Sequence, residues 1–303
     1  MIRKKQKVGM CVRRTVLWRC GALLLAAGAA LWLAWGVWRS AHGPVTRCWK
    51  ILLPGVTEPV RLAVLSDLHD CLDEADRRRL VTLVEQAGPD LILLDGDMLN
   101  GDSPDASKLC SLTEQLGKAA PVYCALGNHE LAYLEAGTSP LMEELEQAGA
   151  TVLERGYVDL DIGGGIRLGG LYGYAFAQDD LNTCDPERMD PEDYGFLQDF
   201  QATERCKILL CHRPDSFVFG EAARTWDVDL VISGHLHGGQ VVLPLLGGVF
   251  GGDQGWFPHY VHGVYEKEGV TMAVTSGLGS QPERLPRFRN PPEIMVLDLE
   301  PAR

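Results

Sequence analysis

Five short apolar runs in this 303-residue chain each break off at a histidine, an aspartate or an asparagine. The runs are VRLAVLS (60–66), DLILL (90–94), PVYCAL (121–126), KILLC (207–211) and DLVIS (229–233), and they pass into SDLH, DGD, GNHE, HRP and GHLH. Their length and their Leu, Val and Ile content mark them as buried strands. Amphipathic stretches at 73–87 and 107–118 separate the first three. That alternation predicts an α/β fold of βαβ units with helices covering a central sheet. Farther on, YVDLDIGGGIRLGGLYGY and GVYEKEGVTMAVTSGL each read as strand, turn, strand, and EIMVLDL reads as a closing strand. In open α/β sheets the ligand crevice lies beyond the carboxyl ends of the strands, so the five breaks are expected to meet in space.

What would meet there is a set of metal-type donors. In an extended segment residues i and i+2 face the same way, so Asp67 and His69 can share an ion. His235 and His237 have the same spacing, and a loop can turn them toward different ions. Asp97 offers two carboxylate oxygens and can bridge two cations, while Asn128 ligates only through a neutral amide oxygen. Glycines at 96, 127, 234, 238 and 239 allow the backbone close to a crowded centre. Carboxylate, imidazole and amide oxygen without thiolate suit Mn, Fe, Zn or Co. His42, His259 and His262 read as ordinary hydrogen-bonded residues. GxxxxGK[ST], GxSxG and HxHxDH patterns are absent, which disfavours a phosphate-binding loop, a serine hydrolase and a metal-dependent amide or lactone hydrolase.

Charge divides the chain. Residues 1–50 hold ten Lys/Arg and no acidic residue, leaving 18 basic against 41 acidic residues after them, a net −23. A body so acidic disfavours nucleic acid as the main partner. Bound cations are then the natural source of positive charge for an anionic substrate. Cys20 to Trp38 is an uncharged run of 19 residues, about the length that spans a bilayer. Seven Lys/Arg precede it, which predicts a cytoplasmic N-terminus and a body on the other side. The apolar stretch is long and no clear small-x-small cleavage site follows it, so an uncleaved single-pass anchor in the cell membrane is expected over the alternative of a cleaved signal peptide. The expected organisation is a basic tail and anchor over 1–44, a linker or first strand over 45–59, and the main domain over 60–303. Nine cysteines without CxxC pairs give no disulfide framework, and Cys124 and Cys211 read as buried thiols.

SDLH, GD, GNHE, HRP and GHLHGGQ in this order resemble the calcineurin-like metallophosphoesterases. Together with SGLGSQPERLPRFRNPPEI they are similar to the membrane-anchored bacterial branch, over about residues 60–299. Leu236 stands where that branch more often has threonine. The resemblance implies a four-layer αββα sandwich of two mixed sheets flanked by helices. It implies one ion held by Asp67, His69, Asp97 and His237, and a second by Asp97, Asn128, His212 and His235. It also implies His129 as the acid near the leaving group, with Glu130 orienting it. The chemistry implied is hydrolysis of a phosphodiester or pyrophosphate by a hydroxide held between two divalent ions. The anchor favours a lipid-linked substrate, and the competing reading is a tethered metal-dependent sensor without turnover. Arg284 and Arg287, with Arg289, read as a clamp on substrate phosphate or lipid headgroups. The apolar, glycine-rich stretch 243–261 reads as a lip facing substrate or membrane.

Overall fold

A computed structural model describes residues 2–41, 43–137, 139–179, 182–279 and 286–302. The chain opens with a 40-residue helix, α1 (Ile2–Ala41). Its part from Trp18 to Ala41 is long and apolar enough to cross a membrane. Among the described residues seven helices follow: α2 (Glu74–Ala87), α3 (Ser107–Leu116), α4 (Asn128–Glu135), α5 (Leu141–Gln147), α6 (Pro191–Phe200), α7 (Asp215–Val218) and α8 (Ala222–Thr225). The strands are β1 (Val45–Leu53), β2 (Val60–Leu65), β3 (Leu91–Asp95), β4 (Val122–Ala125), β5 (Ala150–Val152), β6 (Gly156–Leu160) and β7 (Ile166–Gly170). They continue as β8 (Cys206–Leu210), β9 (Leu230–Ser233), the short pair β10 (Val242–Leu243) and β11 (Gly247–Gly248), β12 (Gly263–Lys267), β13 (Val270–Val274) and β14 (Glu293–Pro301).

Two six-stranded sheets form, in the orders β1-β14-β2-β3-β4-β5 and β12-β13-β9-β8-β7-β6. In the first, β2 to β5 run parallel and β14 runs antiparallel to β2; in the second, β13, β9, β8 and β7 run parallel between antiparallel edges. Side-chain alternation explains the layers. Leu62, Val64, Leu91 and Leu93 point toward the second sheet and pack with Leu168, Ile208, Leu230 and Ile232. The intervening Ala63, Leu65, Ile92 and Leu94 face the opposite way, under Leu80 and Val84 of α2 and Leu109 and Leu112 of α3. On the far side, Leu209, Val231 and Met272 pack under Phe196 and Phe200 of α6. Each fully buried Leu, Ile or Val contributes about 1.5–3 kcal/mol, so runs buried on both faces hold the sandwich together. This is the expected four-layer arrangement.

Local chemistry sets the element ends. Asp73, expected inside a helix, is instead the N-cap of α2, where its carboxylate accepts from the Asp76 amide at 2.8 Å. Within residues 45–59, Val45–Leu53 form β1, which pairs along its whole length with β14, and Ile51 and Leu53 enter the core between the sheets. Cys124 and Cys211 are buried thiols.

Candidate metal centre

The carboxyl ends of β2, β3, β4, β8 and β9 converge where the two sheets meet. Three acid–histidine groups form there among the described residues: Asp67–His69–His237, Asp97–His212–His235 and His69–Asp97–His129, with the donor atoms of each group within 4.8 Å of one another. The first two groups fall in separate halves of the expected ligand sets. Asp97 Oδ2 lies 3.1 Å from His212 Nε2 and 3.9 Å from His69 Nε2, between the halves.

The backbone that brings them together was not legible. Asp67 and His69 do not converge from an extended segment; both lie in the left-handed region, at φ 54° and 51°. Asp97 (52°), His235 (66°) and His237 (47°) lie there too, a costly conformation for residues with a Cβ. Surrounding bonds hold them in it. Ser66 Oγ lies 2.9 Å from Asp67 Oδ2 and 2.8 Å from the Asp95 carbonyl, sharing its one hydrogen between them, and the His235 amide donates to Asp67 Oδ1 at 3.0 Å. The His129 amide donates to Asp97 Oδ1 at 2.8 Å. A Cβ on Gly96 would stand 2.7 Å from the Gly127 Cα and 2.8 Å from the His212 ring, so the β3 and β4 loops pack only with glycine there.

Imidazole orientation follows from what each Nδ1 meets. His212 Nδ1–H donates to the Asp95 carbonyl at 2.6 Å, and His237 Nδ1–H to the Gly279 carbonyl at 3.2 Å. The Asn100 amide nitrogen donates to the His69 carbonyl at 3.0 Å, which leaves Asn100 Oδ1 to accept from His69 Nδ1–H at 3.1 Å. Each Nε2 is thereby turned inward, toward the acids of the centre. His69 Nε2 and Asn128 Oδ1 are buried without a hydrogen-bond partner. Two orphaned donors of ligating type, in a thiol-free set of acids and imidazoles, fit divalent cations. Burial, then repulsion from His212, drives His235 down to about 3, and burial drives His237 down to about 4. Both rings are neutral and ligation-competent near pH 7. Burial also opposes charge on His212, but Asp97 and Asp67 outweigh it and raise that ring to about 10.

Two of the expected site residues are engaged with backbone groups. Glu130 is fully buried, and its oxygens accept the amides of Asp97 and Met98 at 2.7 Å and of Gly127 at 2.8 Å. It thereby clamps the loops after β3 and β4, next to His129. Burial first, and Asp97 second, raise its carboxyl to about 7. Arg287 is buried too; its guanidinium donates to the carbonyl of Gly279 at 2.8 Å and to that of Ser276 at 2.6 Å. It braces the segment whose Gly279 carbonyl receives His237. Arg284 lies outside the described residues. Arg289 stands over the rings of Trp32 and Trp35 of α1. His262 sits away from the centre, 2.7 Å from Glu293 and 2.9 Å from Arg47. His259 packs on Tyr260 and Tyr265, and His42 lies outside the described residues.

Sequence reasoning missed Asn100, Ser66 and Asn290 as supports. Asn290 donates to the His237 carbonyl at 2.7 Å and to the Gln240 carbonyl at 3.3 Å. The NPPE motif carrying it was visible, but a side-chain bond to a distant carbonyl leaves no spacing pattern.

A cavity of about 300 Å³ opens onto the centre, lined by Asp97, Asn128, His129, His235 and His237. Leu236, Gln240, Phe250, Gly252 and Trp256 complete the lining, so the stretch 243–261 contributes three of its residues.

Two layered sheets with acids and histidines at their joined strand ends define a metallophosphatase-type fold and site. The sequence model of the Calcineurin-like phosphoesterase family matches residues 60–239. The chain belongs to that family, and by that membership it is a metal-dependent phosphoester hydrolase. The uncharacterized metallophosphoesterase YkuE of Bacillus subtilis is 30% identical over 258 residues, covering 82% of this chain and 82% of that protein. The phosphodiesterase YaeI of Escherichia coli is 28% identical over 250 residues, covering 80% of this chain and 82% of that protein. Among solved structures, a dimetal phosphatase from Danio rerio aligns with a TM-score of 0.44 at 13% identity, over 73% of this chain and 88% of that one.

Proposed function

We propose that this protein is a membrane-anchored, dinuclear phosphoesterase that cleaves a phosphodiester or pyrophosphate bond in a lipid-linked substrate. The observation that carries the reading is the cavity itself, where Asp97, Asn128, His235 and His237 of the metal-type set and His129 share the lining with Leu236, Phe250 and Trp256. Asp67, His69, Asp97 and His237 would hold one ion, and Asp97, Asn128, His212 and His235 the other. Bound there, divalent ions of the Mn, Fe, Zn or Co type would supply Lewis acidity toward phosphoryl oxygens.

The remaining work falls to the chain's own groups. Asp97 fixes the His129 backbone through Oδ1, so the His129 ring borders both the cavity and the His69 ring, 4.7 Å away. From that position His129 hands a proton to the leaving oxygen. The apolar wall excludes water and receives the hydrophobic part of the substrate. The basic segment before the apolar span supports a cytoplasmic N-terminus, with the catalytic body on the other side of the cell membrane.

The test uses the purified full chain in lipid nanodiscs with Mn²⁺, given a phosphomonoester, a phosphodiester and a lipid pyrophosphate. Turnover of a diester or pyrophosphate that chelation abolishes and Mn²⁺ restores is the expected result. Bound metal with no turnover on any of the three would overturn the reading in favour of a sensor.

A further inference from the structure

We propose that the β10–β11 hairpin tip and the Trp256–Phe257 corner insert into the bilayer surface, so that the mouth of the metal cavity opens at headgroup level. The proposal rests on the anchored-enzyme reading and goes beyond it, because an anchor on a loose tether would leave the mouth free to face water.

Large apolar side chains stand exposed at five described positions outside α1, and four of them are Leu245 (106%), Leu246 (61%), Trp256 (68%) and Phe257 (54%). Such a cluster on one corner marks an interaction surface rather than scattered exposure. Its neighbour identifies the medium. The Val242 amide donates to the Phe288 carbonyl at 2.9 Å, and the Phe288 amide to the Gln240 carbonyl at 3.2 Å, so the root of the hairpin is paired with Phe288. The Phe288 ring meets Trp32 of α1 edge-on, 5.1 Å between centroids. The Arg289 amide donates to the Gly36 carbonyl at 3.1 Å, and the Asn290 amide to Ser40 Oγ at 2.9 Å.

Trp32 lies nine residues before the end of α1, about 13 Å back along the axis at 1.5 Å per residue. The body therefore folds back along the last turns of the helix instead of starting beyond them. Trp32, Trp35 and Trp38 suit the headgroup layer, where an indole has one apolar and one wet side. Whatever apolar medium surrounds the exposed upper part of α1 then also reaches the lip. A bilayer covers both surfaces at once, which is why lipid, rather than a protein partner, is the occupant.

The same corner reaches inward. Trp256 packs on Phe250 at 5.3 Å, and both rings line the metal cavity. A phosphoester can keep its chains in the membrane and slide its headgroup past Trp256 to the centre. Arg289, held over Trp32 and Trp35, supplies positive charge at the level where the headgroup would pass.

The experiment uses the full chain in phosphatidylcholine–phosphatidylglycerol nanodiscs. Leu246→Trp adds an indole at the hairpin tip, and its added emission is expected to be quenched by lipids brominated high on the acyl chain and shielded from aqueous iodide. Leu245→Ser with Leu246→Ser is expected to lower hydrolysis of a bilayer-held phosphodiester about tenfold or more, leaving a water-soluble phosphodiester unchanged. Iodide quenching of the added indole, equal loss on both substrates, or crosslinking of two chains through the hairpin each overturns the proposal. Failure of the underlying reading looks different: the unaltered chain would then not hydrolyse the soluble diester, or would be released from membranes by alkaline washing.

Discussion

The floor and the rim of the cavity obey opposite rules. On the floor, Asp67, Asp97, His69 and His212 are buried polar groups, and strained backbone is fixed by hydrogen bonds from every side. On the rim, Leu245, Leu246, Trp256 and Phe257 are apolar groups left in the open. Each arrangement is unfavourable in an isolated soluble body. Buried donors without partners cost about 1–3 kcal/mol each, and exposed apolar area costs roughly 25 cal/mol per Å². On the proposed reading both costs are relieved by something from outside: cations for the floor, an apolar medium for the rim. The floor would then govern chemistry on any substrate, and the rim which substrate arrives.

Asp97→Asn should break the floor without touching the rim, and it carries the largest effect. It removes a charge shared between His69 and His212, so metal content falls and turnover drops by about 10³–10⁴-fold. Soluble and bilayer-held esters should suffer alike, with metal stoichiometry measured by elemental analysis beside the rates. A loss confined to the bilayer-held ester would mean that floor and rim are not separable. His129→Ala sharpens the division inside the floor. Turnover should fall about 10²-fold with metal content intact, as for a proton donor. Its ring is close enough to His69 and Asp97 for the alternative to be real. Loss of an ion in that variant would move His129 from acid to ligand.

The two regions also differ in how far they could be read from the sequence. The floor was legible because metal binding restricts residue type, and a strand end restricts place: SDLH, DGD, GNHE, HRP and GHLH together fix both. The layered fold was legible for the related reason that doubly buried strands read as unbroken apolar runs. Short elements such as β5, α5 and α6 were not, because seven to ten residues or fewer carry little periodicity of their own. The supports of the floor were hidden more deeply. Glu130 looked catalytic because it follows His129, and Arg287 looked like a clamp because it sits among arginines. Both spend their charge on backbone groups contributed by other loops, a pairing that only the folded chain reveals. The rim was half legible, since composition marked 243–261 as unusual but could not show that Phe250 lines the cavity while Leu245 and Leu246 stand exposed.

Asn290 is where floor and rim join, and it gives the smallest of the expected effects. Its side chain ties the carbonyls of His237 and Gln240, and its own amide reaches Ser40 in α1. Gln240 is also the residue from which the hairpin departs, with its carbonyl bonded to the Phe288 amide. Asn290→Ala frees two buried carbonyls and loosens the backbone that aims His237, without removing a ligand. Outer contacts of this kind are worth about 10- to 100-fold in metal affinity. Because only one of the two expected ion sets includes His237, the loss should fall on one ion. Titration of the metal-free protein should then show one affinity weakened about tenfold and the other unchanged. If both weaken equally, the His237 loop is not a local support of one site, and α1 acts on the whole floor through it.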